Sequence, residues 1–212
     1  MIVTAVEEYT KSKYRIYLND AFAFVLYKGD LRHFDIAPGK ELSEEDLAAI
    51  REEVLIKRAR LRAMHLLETR DYTEEAMRRK LRENLYPEDV IEDAVSYVKQ
   101  YHYIDDRRYV MSFIEAHAAA NTAKVIREKL RQKGVDAALI DACLTEYTQE
   151  NGSREEELLR AQMSRKFRTL PEGEIPYEKK QSFFASFYRK GFSPRLIESV
   201  YEELTAQRDP ES

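Results

Sequence analysis

The residues best equipped for chemistry lie in the stretch YHYIDDRRY at positions 101–109, which combines two aspartates, two arginines and three tyrosines. A carboxylate pair can serve as acid and base in catalysis, but only beside a partner base, metal ligands or a pocket. Asp105 and Asp106 instead precede an apolar pattern typical of a helix, where an aspartate accepts hydrogen bonds from free backbone N–H groups, a role worth about 1 kcal/mol. We therefore interpret them as helix caps at a junction between packed modules. A contact with a partner is the alternative, and the sequence argues against catalysis.

Other chemistry finds little support in the sequence. The chain has no GxGxxG, GxxxxGK[ST] or GxSxG motif, which nucleotide-binding proteins and serine hydrolases use. Its four histidines are scattered without a metal-binding spacing, and the single Cys143 excludes a disulfide framework or a Cys-based zinc site. We expect a protein that is not an enzyme and that needs neither cofactor nor metal.

The composition indicates a helical protein that is not a general binder of nucleic acid. Of 212 residues, 43% are apolar and 35% are charged, with only 6 Gly and 6 Pro, fewer turn residues than strand-rich domains use. Because the net charge is −4, any basic surface must be confined to one face. The chain starts without a signal-peptide pattern and has no apolar run approaching the roughly 18 residues of a membrane span, so we expect a soluble, cytoplasmic protein.

The first 42 residues predict a small three-stranded antiparallel β element. Within them, β-branched and aromatic residues cluster in three short runs, and Asn19-Asp20 is a turn signal between the second and third. Ser43, followed by three acidic residues, then predicts the N-terminus of a helix that continues for roughly 25 residues.

From Ser43 onward the sequence repeats itself. The motif Lys-Leu-Arg at 80–82 recurs at 129–131, and Gly134 of the second copy matches Gly191 of a third. A glycine at these positions indicates a helix that ends in a left-handed conformation. We predict a mainly α-helical fold, an elongated array of three tandem three-helix repeats after the N-terminal element. The predicted domains are 1–42, 43–104, 105–150 and 151–212, with helices of the second repeat at 106–119, 121–133 and 136–148 and an extra loop of the third at 169–176.

Basic residues recur at corresponding places in the three repeats. Lys124, Arg127 and Arg131 share one helix face because of their i, i+3, i+7 spacing. For any single residue, a solvated face is the simpler explanation. Recurrence favours a linear cationic track that suits a phosphate backbone or an acidic protein groove. The candidate partner-binding residues are Arg78, Arg79, Lys80, Arg82, Lys124, Arg127, Lys129, Arg131, Lys133, Lys179, Lys180, Arg189 and Lys190.

Four stretches resemble the RecX family, bacterial modulators of the RecA recombinase. They are Ala63–Leu67, Glu75–Leu81, Tyr103–Tyr109 and Ile126–Gly134, and residues 14–24 and 38–46 look like the N-terminal extension of the family's Gram-positive branch. The chain departs from the family pattern at His102, where the family usually has Gly. Residues 119–122 also replace a usual Gly, and we expect Asn121 to cap the following helix.

The resemblance implies a regulatory protein that lies in the groove of the RecA–single-stranded DNA filament and inhibits strand exchange and ATP hydrolysis, thereby regulating DNA repair and recombination. The implied partner is the RecA filament, with single-stranded DNA contacted through it, and we expect a monomer that does not bind membranes. Two alternatives stay open on the residues alone. One is a direct DNA-binding protein built from three-helix modules, and the other is an adaptor for another protein whose basic face is only solvated.

Overall fold

The computed structural model describes residues 1–151, 154–170 and 175–208. The chain divides into two compact units: unit 1 is residues 1–105, and unit 2 starts at residue 106. Much of the loop predicted at 169–176 lies outside the described residues.

Unit 1 begins with the predicted three-stranded antiparallel sheet. Its strands are β1 (Val3–Thr10), β2 (Lys13–Leu18) and β3 (Ala21–Tyr27), hydrogen-bonded in the order β1-β2-β3. Asn19 and Asp20 join β2 to β3 with φ angles of 47° and 65°, which a two-residue type I′ turn requires. One face of the sheet contributes to the core, through Val3, Ile16, Leu18, Phe24 and Leu26.

The helices of unit 1 follow the sheet. They are α1 (Lys28–His33), α2 (Glu44–Ile50), α3 (Lys57–Leu67), α4 (Glu74–Glu83) and α5 (Glu88–Gln100). A π-helical segment, Arg51–Ile56, joins α2 to α3 with helical backbone at both junctions, so a long helix runs from residue 44 to residue 67, as predicted. Ser43 caps it: the Ser43 hydroxyl accepts from the Asp46 N–H at 3.0 Å, and the Asp46 carboxylate accepts from the Ser43 N–H at 2.9 Å. These bonds hold the pKa of Asp46 below its usual value.

An ion pair ties the N-terminal segment to the long helix. Arg58 donates to both carboxylate oxygens of Asp30 in α1, with Nη2–Oδ1 at 2.9 Å, and its guanidinium lies 4.5 Å from the ring centroid of Tyr27. Apolar packing also joins the two parts, because the buried residues of the sheet and of α3–α5 form one cluster. The N-terminal element is therefore an integral part of unit 1.

Unit 2 contains two further helical trios. The first is α6 (Asp106–His117), α7 (Ala123–Gln132) and α8 (Ala137–Asn151), and the second is α9 (Glu155–Phe167), α10 (Tyr177–Lys190) and α11 (Pro194–Arg208). Each trio has its own core: Val110, Ile114, Leu130 and Ile140 are fully buried in the first, and Leu159, Met163, Phe187 and Ile197 in the second. With α3–α5 of unit 1, these trios confirm the mainly helical fold with three three-helix repeats.

The two helix ends predicted from Gly134 and Gly191 are confirmed. The equivalent helix end of the first repeat has the same backbone conformation but no glycine. Gly134 and Gly191 have φ angles of 81° and 97°, in the left-handed region. At the corresponding position of the first repeat, Leu85 adopts the same region with φ of 63°. His102, which stands where the RecX pattern has Gly, also has a positive φ, 56°. Left-handed backbone is costly for residues with a β-carbon, so glycine would be the less strained residue at both positions.

The expected Asn121 cap is wrong. Thr122 is the N-cap of α7, and its hydroxyl accepts from the Val125 N–H. Asn121 lies one residue too early for this role, and its side-chain amide donates to the His117 carbonyl oxygen at 3.1 Å. Asn121 therefore closes α6 and does not open α7.

Candidate binding surface

The two aspartates of YHYIDDRRY lie where a helix begins. Helix α6 starts at Asp106, so Asp105 occupies the position directly before it and Asp106 lies in the first turn. Both positions favour negative charge, because the free N–H groups and the helix dipole are there. The capping role of the pair stays a prediction.

The basic residues of the first repeat are mostly neutralised by acids of the same repeat. Arg78 donates to Glu92 at 2.7 Å, and this hydrogen bond raises the pKa of Arg78 and lowers that of Glu92. Lys80 pairs with Glu83 at 2.6 Å, which lowers the pKa of the Glu83 carboxyl. Cations paired in this way have to exchange partners before they can bind an external anion.

Two arginines of the same helix differ in their surroundings. Arg82 is bracketed by two carboxylates, Glu88 at 2.6 Å and Glu75 at 3.0 Å. Arg79 is exposed, and within the described part of the chain no carboxylate lies within 4.0 Å of it. Of the four cations predicted on α4 to bind a partner, Arg79 is therefore the one without a carboxylate within 4.0 Å among the described residues.

The predicted basic residues on and just after α7 in the second repeat differ in their partners. Arg127 is paired with Asp141 at 2.7 Å, and Lys129 donates to the Asn121 side-chain oxygen at 3.3 Å. The Lys133 ammonium lies over an aromatic pair, 5.8 Å from the Tyr109 ring centroid. Lys124 and Arg131 are exposed at either end of the helix, while the opposite side of α7 is buried through Ile126 and Leu130.

The N-terminal end of α7 packs against the C-terminal end of α10. The Thr122 hydroxyl donates to the Lys190 carbonyl oxygen. Two residues further on, the stem of Lys124 runs along Gly191, so close that a β-carbon at position 191 would stand 2.7 Å from the Lys124 Cβ. The structure thus brings a predicted cation of the second repeat beside predicted cations of the third.

Positive charge accumulates at this junction. Lys190 donates to the Gln162 side-chain oxygen at 2.7 Å and Lys166 donates to the Ser186 hydroxyl at 2.6 Å, so both ammonium groups are bound by neutral partners. Burial lowers the pKa of Lys166, and the charges of Lys190 and Arg189 lower it further. Cations that repel one another in this way favour an added anion.

We define the basic patch as Lys124, Lys166, Arg189 and Lys190. Among residues 1–151, 154–170 and 175–208, no carboxylate lies within 4.0 Å of any of its members. A cleft of about 500 Å³ opens beside it, and its lining includes the cations Lys124, Arg127 and Arg154 as well as the carboxylates of Glu115 and Glu155. The patch and the cleft lie within unit 2, where two trios meet.

The remaining predicted cations of the third repeat are elsewhere. Lys179 and Lys180 are in the first turn of α10, whereas Arg189 and Lys190 are in its last turn, roughly 15 Å away at 1.5 Å per residue. Lys180 lies over the Tyr201 ring at 4.9 Å from its centroid. The structure therefore separates these two lysines from the basic patch.

Sequence reasoning missed Lys166. Its dibasic neighbourhood Arg165-Lys166 is visible in the sequence, but it lies on the first helix of its repeat, whereas the recurring basic residues lie on the middle helices. The place of Lys166 in the basic patch follows from the packing of α9 beside α10, which brings Lys166 to Ser186, 20 residues away in the chain.

Metal-binding clusters and membrane-spanning helices are absent from the described residues. No group of three or more His, Cys, Asp or Glu side chains there is arranged to hold a metal ion. No helix in that part of the chain is long and apolar enough to cross a membrane. Cys143 is buried, and burial raises the pKa of its thiol.

A small N-terminal sheet followed by three three-helix modules defines a helical-repeat protein. Comparison with known proteins identifies which one. The models of the first, second and third three-helix domains of RecX match residues 59–97, 105–144 and 154–201. The chain belongs to the RecX family of regulatory proteins.

Individual proteins and a solved structure that are similar to this chain also carry the RecX name. The regulatory protein RecX of Limosilactobacillus reuteri (strain DSM 20016) is 30% identical over 203 residues, which cover 95% of this chain and 75% of the relative. That of Bacillus subtilis (strain 168) is 24% identical and covers 94% and 75%. A crystal structure of regulatory protein RecX matches with a TM-score of 0.61 at 27% identity, over 95% of this chain and 98% of the other. The repeat bounds 43–104, 105–150 and 151–212 stay a prediction.

Proposed function

We propose that this chain regulates RecA by binding the RecA–single-stranded DNA filament in its helical groove, and that it inhibits strand exchange and ATP hydrolysis without catalysing a reaction itself. It acts in the cytoplasm, as a monomer, on DNA repair and recombination. Membership of the RecX family supports the regulatory role. The observation that carries the binding mode is the basic patch, four cations without a carboxylate within 4.0 Å among the described residues, two of which are bound by neutral groups.

The chemistry of the patch fits a polymeric, acidic target. A phosphate backbone or a row of carboxylates along a filament would neutralise Lys166, Lys190 and Arg189 and remove their mutual repulsion. Arg79 of the first repeat and Arg131 at the far end of α7 add weaker contacts. Several weak contacts on one chain raise the overall affinity for a repeating target far above that of each one alone.

Ion pairs within the chain give four of the predicted binding residues a smaller part in the proposed contact. Arg78, Lys80, Arg82 and Arg127 keep their carboxylate partners in the free protein. Exposed pairs of this kind contribute only about 0–1 kcal/mol each, so they are able to open. We assign them a secondary role, in which they exchange partners after the basic patch has bound.

A second candidate function is direct binding to DNA. It is favoured by the same observation, because unneutralised cations beside a cleft fit a phosphate backbone without any recombinase. The adaptor for another protein is the third possibility. The three differ in what the purified chain binds.

The test is a titration of the full chain against bare single-stranded DNA and against preformed RecA–DNA filament, each at two salt concentrations. Filament regulation predicts tighter binding to the filament than to bare DNA, together with slower ATP hydrolysis at saturation. Equal or tighter binding to bare DNA, with a steep salt dependence, would establish direct DNA binding instead. If neither target binds, the filament proposal is refuted and the adaptor stands.

A further inference from the structure

The N-terminal sheet has a second face, which points away from the apolar cluster of unit 1. Residues directly opposite on antiparallel strands share a face. Ala5 pairs with Tyr17 and Tyr17 with Phe22, while Glu7 pairs with Arg15. Their neighbours Val6, Ile16 and Phe24 pair with one another and face the core. The outer face therefore carries aromatic rings and charge where the inner face is apolar.

A β-bulge places Phe22 on this face. Tyr17 pairs with Phe22 and Ile16 with Phe24, so Ala23 is an extra residue in β3. Without the bulge, Phe22 and Phe24 would point to the same side, because side chains alternate along a strand. The bulge turns Phe22 outward, where its ring lies 6.0 Å from the Tyr17 ring in an edge-to-face pair and is 42% exposed. Bulges often re-aim a side chain in this way at functional places.

Positive charge accompanies the rings. The Arg15 guanidinium lies 4.4 Å from the ring centroid of Tyr9, which is 43% exposed. Lys11 and Lys13 belong to the same hairpin end, and the Lys13 ammonium lies 5.3 Å from the Tyr27 ring centroid. Against these three cations, the described residues of the same hairpin carry two exposed acids, Glu8 and, on the outer face, Glu7. The end of the sheet that carries Tyr9 is thus basic as well as aromatic.

We propose that this outer face binds the unpaired bases of a single-stranded nucleic acid. Exposed rings on a sheet offer flat surfaces on which bases stack, and a guanidinium plane serves the same purpose. Tyr9 and Phe22 provide the exposed stacking surfaces, and the half-buried Tyr17 supports Phe22 from the side. Arg15, Lys11 and Lys13 neutralise phosphates. A duplex fits poorly, because its bases are already stacked on one another and leave no face free for the rings.

This inference goes beyond the proposed function and is independent of it. The proposed function places the filament contact on the basic patch of unit 2, and the sheet belongs to unit 1. The test uses bare oligonucleotides without recombinase, so its failure would leave the filament proposal intact. Conversely, loss of filament binding with bare single strands still bound would refute the filament proposal and leave the sheet contact intact.

The experiment measures fluorescence anisotropy of a labelled oligo-dT with the full chain and with a Tyr9→Ser/Phe22→Ser variant. The matched control, Tyr101→Ser/Tyr177→Ser, removes two rings that are 55% and 74% exposed elsewhere in the chain. We expect the sheet variant to bind about tenfold or more weakly, since each stacked base contributes substantially, with an unchanged salt dependence because rings release no counterions. The control should bind like the parent, and a duplex of equal length should compete poorly. Oligo-rU in place of oligo-dT distinguishes an RNA preference from a DNA preference.

A second measurement does not depend on the folding of a variant. An oligonucleotide that carries 5-iodouracil, irradiated with the unaltered chain, should crosslink to peptides of β1, β2 or β3, which mass spectrometry locates. Crosslinks confined to residues 106–208, or unchanged affinity of a folded Tyr9→Ser/Phe22→Ser variant, would overturn the proposal. So would a variant that binds bare strands normally but loses binding to RecA filament, since the face would then be a protein contact.

Discussion

Gly191 at the end of α10 lies against Lys124 in the first turn of α7, at a distance that leaves no room for a β-carbon. Such an atom would stand 2.7 Å from the Lys124 Cβ and 2.8 Å from its Cδ. The Cβ of Lys124 is fixed by the helix backbone, so the clash cannot be relieved by rotating the lysine. This contact joins the second and third trios and sets the position of one member of the basic patch.

The first prediction concerns this contact. Gly191→Ala should lower the free energy of unfolding by about 3 kcal/mol, because it combines the left-handed backbone, with φ of 97°, and the clash with Lys124. Gly39→Ala is the matched control: Gly39 has φ of 87° and nothing within 4 Å of an added β-carbon, so about 1 kcal/mol is expected. Urea denaturation measures both. Equal losses would mean that the helices adjust and that the contact is loose.

The β2–β3 turn gives a second prediction. Asp20 has φ of 65°, a conformation that aspartate and glycine adopt far more readily than β-branched residues. Asp20→Val should therefore cost about 1–2 kcal/mol, while Asp20→Gly should stay within about 0.5 kcal/mol of the parent because Asn-Gly suits a type I′ turn. Thermal unfolding monitored by circular dichroism compares the two. A valine variant as stable as the glycine variant would contradict the assigned turn.

The Asp30–Arg58 pair leads to a third prediction. The Asp30 side chain is only 14% exposed, accepts from Arg58 and also accepts from the Tyr27 N–H at 2.7 Å. Asp30→Asn keeps the shape but removes the charge, and should lower stability by about 1–3 kcal/mol. The exposed pair of Asp35 with Lys40 offers the control, since Asp35 is 85% exposed and Asp35→Asn should change stability by less than about 0.5 kcal/mol. Equal changes in the melting temperatures of the two variants would contradict a stabilising role for the Asp30–Arg58 pair.

Cys143 supports a fourth prediction, on pH and reactivity. Burial raises the pKa of its thiol, and the nearby Arg107 charge opposes this shift. A folded-state pKa above the unfolded one means that the neutral thiol stabilises the fold below about pH 8.5, and that this contribution is lost as the pH rises through the folded-state value. At pH 8, dithionitrobenzoate should react far more slowly with the folded chain than with the chain in 6 M urea. Equal rates would show that the core of the second trio opens freely.

The general architecture is predictable from sequence because it depends on local signals. The turn at Asn19-Asp20, the Ser43 cap and the glycines at 134 and 191 each encode a specific backbone conformation, and all are confirmed. Leu85 adopts the left-handed conformation without a glycine to mark it. The Ala23 bulge has no local signal either, because the residues AFAFVLY read as a regular strand.

The candidate site is less predictable because it depends on tertiary contacts. The sequence treats Arg78 and Lys190 alike, as exposed cations on the middle helix of a repeat. Packing gives Arg78 a carboxylate partner, Glu92, 14 residues away, and gives Lys190 a neutral one, Gln162, 28 residues away. Which cations stay unneutralised is therefore decided by how helices pack, and periodicity alone does not contain that information.

The most direct test of the filament contact reverses the basic patch. The variant Lys124→Glu/Lys166→Glu/Arg189→Glu/Lys190→Glu should bind RecA–DNA filament about tenfold or more weakly than the parent and should lose its inhibition of ATP hydrolysis, with unchanged helicity. The matched control reverses four exposed cations of unit 1 for the same change in net charge, at Lys28, Arg32, Lys57 and Arg70. It should bind within about threefold of the parent. Full inhibition by the folded patch variant, or an equal loss in the control, would contradict the assignment of filament binding to the basic patch.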